Sequence, residues 1–318
     1  MGCGLSKEFL LEFWNLLGPV VTGAINKIWT SQCMDSSFKL GIIKLLPKKV
    51  FPSSLVDWRP ITMMGLFYKL MGKAIAIKIS SFLKKHVHVV QSGFIARRFI
   101  FDNIITVMLG VEASQKSNQK VVLLQLDFAK AFDNVLLDLV VKVMEKLGFG
   151  LRIAYCILSL ASRAASRILS NGRLSKAVPI NRSVKQGCSL RPLLFVVATH
   201  PIFCFLKHQA DNGSVLGLEM NQEQIVALGF ANDTLAFLEA SNANAGKCMS
   251  YLSLFSLAAG LDLNLGKSTL IDVTSENFHS LVWRGKRVCR GTIFRHLGYL
   301  VGVDVTNKQL TDCGGGCY

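Results

Sequence analysis

The sequence predicts an α+β fold, in which a small antiparallel sheet with buried strands is backed by helices. An apolar run broken only by Gln125, Val121–Leu126, has the length of a buried strand and is followed directly by Asp127. Two further apolar runs, residues 225–230 and 234–238, predict a hairpin whose tip is residues 231–233. Several other stretches have apolar residues at helical spacing, which predicts helices beside these strands.

The amino-acid composition indicates a folded, strongly basic protein. Hydrophobic residues make up 51% of the 318 positions, which excludes a disordered chain and provides for a sizeable core. The formal net charge is +16, and residues 1–100 hold fourteen Lys or Arg against four Asp or Glu. A basic excess of this size favours a polyanionic partner, the alternative being a solvated basic surface.

Targeting and redox features predict an intracellular protein, in the nucleus or cytoplasm, that is not secreted. Nine cysteines are scattered without a Cys-x-x-Cys pair, a pattern typical of reduced thiols. The start lacks a basic segment followed by an apolar core, and no uninterrupted apolar run reaches the ~18 residues of a spanning helix. Stable membrane association is therefore not expected.

Residues 1–37 are predicted to form a helical extension, because apolar side chains recur at helical spacing from Phe9 to Trp29. The first six residues also match an N-myristoylation pattern, with Gly2 as the acceptor and Cys3 as a palmitoylation candidate. A helix so close to the start argues against a flexible acylated leader. We therefore expect the motif to be incidental, and a lipid-anchored peripheral protein is the alternative.

The remaining elements follow from hydrophobic periodicity and turn residues. A strand is predicted at residues 38–49, and helices are predicted at residues 67–85, 149–170, 192–206 and 244–259. Asn171-Gly172 predicts a turn, and Pro201 is expected to interrupt the third of these segments. Five lysines on the 67–85 helix could follow nucleic-acid phosphates or be solvated without a partner.

Acidic residues at the ends of the predicted strands indicate a divalent-metal site. Asp127 ends the first buried strand, and Asp233 lies at the tip of the hairpin. Carboxylates beside a buried sheet are costly unless a cation neutralises them, and hard oxygen ligands suit Mg²⁺. Two such ions about 3.5–4 Å apart clamp the attacking and leaving oxygens of a phosphoryl transfer.

Six or seven stretches, in the expected order, resemble the motifs of reverse transcriptases of non-LTR (LINE-type) retrotransposons. Leu124-Gln125-Leu126-Asp127 and the following residues resemble motif A, and Phe230-Ala231-Asn232-Asp233 resembles motif C. The others are the fingers segment at 57–61, a segment at 91–104, motif B at 184–195, motif D at 260–268 and motif E at 294–300. The resemblance extends over residues 8–302.

The resemblance implies a right-hand polymerase fold, with an antiparallel palm sheet backed by helices and a fingers subdomain. The implied boundaries are residues 38–112 for the fingers, 113–302 for the palm and 303–318 for a disordered tail, with the thumb expected to be missing. The implied activity is RNA-directed DNA synthesis. Its partners would be an RNA template, a DNA primer and a dNTP, and its cofactor two Mg²⁺ ions.

The resemblance also implies roles for individual residues. Metal binding falls to Asp127 and Asp233 with Asn232 beside them, and Lys267 would be a proton donor to, or charge stabiliser for, leaving pyrophosphate. Nucleotide-binding roles fall to Lys48 or Lys44, Arg59, Arg98, Phe132, Gln186 and Gly187.

Two of these roles have structural alternatives that stay open. Phe132 would exclude a ribose 2′-hydroxyl as a steric gate, and the alternative is an ordinary core aromatic. Arg59 would grip phosphate oxygens with its guanidinium fork, and the alternative is a salt bridge to Asp57. Asp133 is expected to cap the helix that begins near Leu136.

Three positions depart from the family pattern. Asn232 stands where the family has an aspartate, Arg97 where it has glycine, and Arg191 where it has serine. An arginine in place of glycine strains the backbone if the position needs a positive φ. An amide in place of a carboxylate predicts an enzyme with impaired or no activity. The alternative is a catalytically dead relic or RNA-binding scaffold.

Overall fold

The computed structural model describes residues 7–276 and 278–305. The helices are α1 Lys7–Glu12, α2 Trp14–Ser31, α3 Leu66–His86, α4 Ile100–Lys116, α5 Ala131–Asn134, α6 Leu137–Lys146, α7 Leu151–Ala161, α8 Arg191–Asp211 and α9 Asn242–Ala259. The strands are β1 Leu40–Pro47, β2 Trp58–Met64, β3 Val121–Leu126, β4 Ala165–Ser170, β5 Arg173–Leu174, β6 Val178–Pro179, β7 Leu218–Met220, β8 Glu223–Ile225, β9 Ala227–Phe230, β10 Asp233–Glu239, β11 Thr269–Asp272, β12 Lys286–Val288, β13 Ile293–His296 and β14 Tyr299–Gly302.

The chain divides into two compact units, each built from two separate segments. One contains the chain up to Phe82 together with Phe132–Leu194, and the other contains Leu83–Ala131 together with the chain from Phe195 onward. The predicted domain boundaries stay predictions. The acylation motif lies outside the described residues.

The first unit contains one sheet, which we call the first sheet, with strand order β2-β1-β4-β5 and β6 paired to β4. Strands β1 and β2 are antiparallel, whereas β1 and β4 are parallel. Its strands are partly exposed, and its buried face includes Gly41, Thr62 and Ser166.

The second unit contains the second sheet, with strand order β12-β11-β3-β10-β9. Strand β3 lies between antiparallel neighbours and is buried at five of its six residues, all except Gln125, as its apolar run predicted. Val107 and Val111 of α4 pack in the same core cluster as Leu123 and Phe237. Val303, at the start of the predicted disordered tail, is also buried in that core.

Several sequence predictions are confirmed and two are wrong. The strand at Val121–Leu126 and the hairpin are present, although the first strand of the hairpin begins at Ala227. The helix predicted at residues 149–170 is wrong beyond Ala161, because the following residues form β4. The parallel partner β1 supplies its hydrogen bonds, so tertiary pairing overrides the local helical pattern.

Helix α8 continues through Pro201, so the predicted interruption there is wrong. Proline removes one N–H from the helical ladder, but burial of both flanking turns, including Phe195 and Phe203, holds the helix together. It is long and apolar enough to cross a membrane, but two thirds of the apolar stretch is buried inside the protein, as in a core helix.

Candidate active site

The end of β3 fixes Asp127 in a half-buried position. The Asp127 N–H donates to Ser268 Oγ at 3.1 Å, and its carbonyl accepts from the Asn264 N–H at 2.7 Å. These two partners belong to the turn that carries the exposed Lys267, whose own N–H donates to the Asn264 carbonyl. The predicted motif D lysine is therefore tied through its turn to the peptide of the motif A aspartate.

The β3–β10 register places Asp233 opposite Asp127. Thr234 pairs with Leu126, so the next residue of each strand faces the other at the sheet end. Burial raises the pKa of the Asp233 carboxyl, and the negative charge of Asp127 raises it further. Two carboxylates that interact electrostatically at the end of a buried sheet therefore lie in the second unit.

The donor chemistry of this pair fits a hard divalent cation. No ion pair joins Asp127 or Asp233 to a basic side chain in the described parts of the chain. A cation would relieve the repulsion that raises the pKa of Asp233, and oxygen ligands suit Mg²⁺. Within residues 7–276 and 278–305, no group of three or more His, Cys, Asp or Glu side chains could hold a metal.

Asn232 occupies the hairpin tip between Ala231 and Asp233. Phe230 and Asp233 pair across the turn, so Ala231 and Asn232 are its two central residues. The Asn232 side chain is half-buried. Its amide offers one neutral oxygen ligand and an NH₂ donor where the family pattern has a carboxylate.

The first sheet gathers three basic side chains on one exposed face. Leu46 pairs with Arg59 and Ile42 pairs with Arg167, and Lys44 lies between Ile42 and Leu46 on the same side of β1. We call Lys44, Arg59 and Arg167 the cationic face. None of the three forms an ion pair with another described residue. Arg167 was not found from sequence, because its position depends on the distant β1–β4 pairing.

Lys48 and Asp57 are engaged elsewhere in the same unit. The Lys48 ammonium donates to the Val56 carbonyl at 2.6 Å, and Asp57 pairs with Lys49 at 2.9 Å. Asp57 also accepts from two backbone N–H groups, and the Lys49 hydrogen bond holds its pKa at about 2. The salt bridge between Asp57 and Arg59 is therefore absent, and Lys44 rather than Lys48 shares the face of Arg59.

Arg98, in the second unit, binds main-chain carbonyl groups. Its guanidinium donates to the carbonyls of Val87, His88 and Gln91 at 2.6–2.8 Å, and to Lys84 at 3.5 Å. These carbonyls lie at and just beyond the end of α3, where basic side chains commonly satisfy free acceptors. Nucleotide binding by Arg98 stays a prediction, and this geometry favours a structural role.

Motif B forms a tight turn in the first unit. Gly187 has a φ of 96°, which a side chain would strain, and the Gln186 carbonyl accepts from the Thr62 N–H. The preceding Lys185 is buried, with its ammonium donating to the carbonyls of Ala165 and Lys39. Desolvation lowers the pKa of Lys185 to about 8.

The structure explains how two residues that depart from the family pattern, Arg191 and Arg97, are accommodated. Arg191 is buried and donates to the Phe132 carbonyl and the Asp133 carboxylate, so Asp133 forms an ion pair instead of capping a helix. Phe132 itself is half-buried. Arg97 has a φ of 66°, so a non-glycine residue occupies a left-handed position and the condition for backbone strain is met.

Comparison with known proteins identifies the family and the fold of this chain. The family model of reverse transcriptase (RNA-dependent DNA polymerase) matches residues 46–299. The structure is similar to apo telomerase from Candida tropicalis truncated from its C-terminal domain, with a TM-score of 0.58 at 14% identity, covering 92% of this chain and 59% of that one. Telomerase from Candida albicans in complex with a telomeric RNA fragment matches with a TM-score of 0.55 at 13% identity, covering 88% of this chain and 49% of that one. The chain belongs to the reverse transcriptase family, and the predicted α+β polymerase fold is confirmed.

Two curated relatives narrow the family to its retrotransposon branch. The transposon TX1 149 kDa protein of Xenopus laevis is 24% identical over 308 residues, covering 95% of this chain and 23% of that protein. A type-1 R2 retrotransposable-element polyprotein of Popillia japonica is 25% identical over 232 residues, covering 73% of this chain and 32% of that protein. The chain thus spans less than a third of the length of these relatives. Its predicted assignment to the LINE-type reverse transcriptases is confirmed.

Proposed function

We propose that this chain is the polymerase core of an RNA-directed DNA synthesis activity whose phosphoryl-transfer step is impaired by Asn232. The observation that carries the proposal is the pair of opposed carboxylates, Asp127 and Asp233, with an amide at the position between β9 and β10. The proposed partners are an RNA template, a primer with a free 3′-hydroxyl and a dNTP.

Asp127 and Asp233 are the residues that would hold Mg²⁺. When bound, the ion supplies charge neutralisation at the phosphate oxygens and lowers the pKa of a coordinated hydroxyl. Asn232 adds one neutral oxygen but no charge, and its NH₂ group faces a cation unfavourably. Weak metal occupancy is therefore the expected cause of impaired catalysis.

The remaining roles concern the nucleotide. Lys44 and Arg59 of the cationic face would grip triphosphate oxygens, since an arginine fork binds them bidentately. Phe132 would exclude a 2′-hydroxyl, and Gln186 would hydrogen-bond near the incoming sugar and base. The exposed ammonium of Lys267 would donate a proton to leaving pyrophosphate.

A primer-extension assay on a primed RNA template with Mg²⁺ tests the proposal. We expect little or no extension by the native chain. Asn232→Asp should raise extension by roughly a hundredfold or more, because metal catalysis contributes several kcal/mol and each 1.4 kcal/mol is tenfold. Asn212→Asp, which adds the same charge at an exposed position of the same unit, is the matched control and should change nothing.

The double variant Asn232→Asp with Asp127→Ala should lose the restored activity. Extension by the native chain that survives Asp127→Ala would show that the carboxylate pair is not the catalytic site. Failure of Asn232→Asp to raise extension would favour the second candidate function, a catalytically dead scaffold that binds RNA. The absence of a three-carboxylate group in the described chain is the observation that favours this second candidate.

A further inference from the structure

The tip of the β9–β10 hairpin has a backbone conformation that its sequence does not favour. Ala231, the first central residue of the turn, has a φ of 56°. Two-residue hairpins with a positive φ at this position usually have glycine there, because a Cβ atom is strained in that region. Strained positions persist only where the surrounding structure determines them. Some contact must therefore hold Ala231 in place.

Gln91 supplies that contact from outside the hairpin. Its Oε1 accepts from the Ala231 N–H at 3.0 Å, and its Nε2 donates to the Ala231 carbonyl at 3.3 Å. The same Oε1 accepts from the Gly93 N–H at 3.0 Å, and the Gln91 side chain is fully buried. The carboxamide thus satisfies both main-chain polar groups of Ala231, the N–H and the carbonyl.

The backbone around Gln91 packs against the outer edge of β9. The Gly229 N–H donates to the Val90 carbonyl at 2.9 Å, and the Ser92 N–H donates to the Gly229 carbonyl at 2.8 Å. A Cβ atom added at Gly93 would lie 2.1 Å from the Ala231 nitrogen. Only glycine permits this approach, so Gln91 and Gly93 act on the same turn.

We propose that Gln91 is a positioning residue that sets the orientation of Asn232 and Asp233 by fixing the left-handed conformation of Ala231. The inference rests on the proposed function, because it matters for catalysis only if Asp233 is a metal ligand. A neutral amide suits this role, since it supplies one donor and one acceptor without adding a third charge beside Asp127 and Asp233.

A second carboxamide in the same unit offers a matched control. Gln119 Oε1 accepts from the Glu219 N–H at 2.9 Å, and Gln119 Nε2 donates to the Glu219 carbonyl at 2.9 Å. It therefore binds one peptide of the β7–β8 hairpin in the manner in which Gln91 binds Ala231. Methionine has a similar length to glutamine and no amide, so Gln91→Met and Gln119→Met remove equivalent bonds at two places.

The experiment is amide hydrogen exchange with carbon chemical shifts at Ala231, measured by NMR without metal or nucleotide. In the unmodified chain the Ala231 amide should be protected although it lies at a hairpin tip. Gln91→Met should speed its exchange by roughly tenfold or more, since two hydrogen bonds are lost. The Ala231 carbon shifts should leave the left-handed range. Gln119→Met should change neither observable, and the Val122 amide in β3 should stay protected in both variants.

Gln91→Glu gives a second test that keeps the size of the side chain. Its carboxylate retains the acceptor for the Ala231 N–H but has no donor for the Ala231 carbonyl and repels it, so the Ala231 carbon shifts should move as in Gln91→Met. Unchanged exchange and shifts in the two Gln91 variants, or an unprotected Ala231 amide in the unmodified chain, would overturn the inference. The last measurement needs no variant, so a Gln91 substitution that fails to fold leaves the inference testable. Because no step requires activity, a polymerase assay that fails would count against the proposed function alone.

Discussion

The two sheets of the molecule differ in burial and in charge. In the second sheet, β3 and β10 are buried along almost their whole length, and the carboxylates Asp127 and Asp233 follow or begin them. In the first sheet, β1 and β2 are largely exposed, and the cationic face of Lys44, Arg59 and Arg167 lies across β2, β1 and β4. Acidic groups are thus held by short side chains on a packed core, and basic groups by long side chains on exposed strands.

This difference suits the two tasks that we propose for the two sheets. A metal ligand must be held within a narrow geometry, which a packed sheet end and a supported turn provide. A phosphate-binding side chain can reach its ligand through several rotamers, so an exposed strand is sufficient for Lys44 or Arg59. Substitutions in the second unit should therefore act mainly through packing, and those on the cationic face through charge.

The largest expected contrast concerns one glycine beside each sheet. Gly93→Ala would place a Cβ atom 2.1 Å from the backbone nitrogen of Ala231, whereas the Cβ atom in Gly41→Ala would meet the Thr62 side chain at 2.5 Å. The backbone at Ala231 cannot move aside as easily as the side chain of Thr62 can. We expect Gly93→Ala to destabilise by about 3 kcal/mol or more, and Gly41→Ala by about 1–2 kcal/mol. Urea denaturation measures both.

A third glycine is the control for the backbone effect alone. Gly246 lies within α9, and a Cβ atom added there would meet no neighbouring atom within 4 Å. Gly246→Ala should therefore stabilise by about 0.5–1 kcal/mol. Equal losses for Gly93→Ala and Gly41→Ala would contradict the contrast between a rigid hairpin support and an adaptable strand.

Local sequence signals predicted the second sheet better than the first. The apolar run Val121–Leu126 and the residues around Asp233 carry their own pattern, so the strand and the hairpin followed from it, whereas the pairing of Asp127 with Asp233 followed from the family resemblance. Strand β4 was missed, because its partner β1 lies more than a hundred residues earlier in the chain and leaves no local trace. A single sequence therefore predicts elements that have their own periodicity, but it does not predict which strands pair across a long stretch of chain.

The same limit applies to single polar residues. Gln91 and Arg98 bind main-chain groups, and a backbone acceptor has no residue type that sequence could reveal. The sequence motif that contains Gln91 and Arg98 could be recognised, but the groups that each side chain contacts could not be predicted. The substitution at Arg97 gave a local signal, because an arginine in place of glycine raises the question of a positive φ, and the structure has one there.

The next largest expected effect is a loss of stability at acid pH, which comes from a histidine in the second unit. His296 is buried with one hydrogen bond, to Asn103, and burial lowers its pKa to about 4. Between pH 6.5 and 4 the unfolded chain binds a proton that the folded chain does not, so stability falls as pH falls. The expected loss is about 3 kcal/mol at most.

Denaturation at pH 7 and pH 4.5 measures this loss. His296→Gln should flatten the dependence, and His279→Gln, at an exposed histidine of the same unit, should leave it unchanged. The corresponding loss for Lys185 in the first unit falls between pH 10.5 and about 8, outside the range of these two measurements. An unaltered acid slope in His296→Gln would contradict the assignment.

A smaller effect concerns the carboxylate pair itself. Burial and Asp127 raise the pKa of Asp233, so its ionised form costs stability at neutral pH. Asp233→Asn should therefore stabilise the metal-free protein by roughly 0.5–1 kcal/mol at pH 7, after allowance for partial exposure. The gain should vanish below about pH 4, where the carboxyl is protonated in both states. Thermal melting at both pH values measures it, with Asp262→Asn at an exposed position as the control.

The smallest expected effect tests the cationic face. Arg167→Ala removes one charge from the exposed side of the first sheet that also carries Lys44 and Arg59. Arg173 pairs with Ser170 and so lies on the opposite face, which makes Arg173→Ala a control of equal charge. For single-stranded RNA each neutralised phosphate contributes about −0.7 to the log–log salt slope.

We expect RNA binding by the unmodified chain to weaken distinctly with salt. Arg167→Ala should make that slope shallower by about 0.7, whereas Arg173→Ala should leave it unchanged, because only the first lies on the face with free basic groups. Equal slopes in the two variants would mean that net charge, and not the face of the sheet, governs binding. A slope near zero in the unmodified chain would remove nucleic acid as the ligand of this face. The measurement thus tests whether the first sheet binds phosphate through basic side chains that share one face, just as the second sheet places two carboxylates at one end.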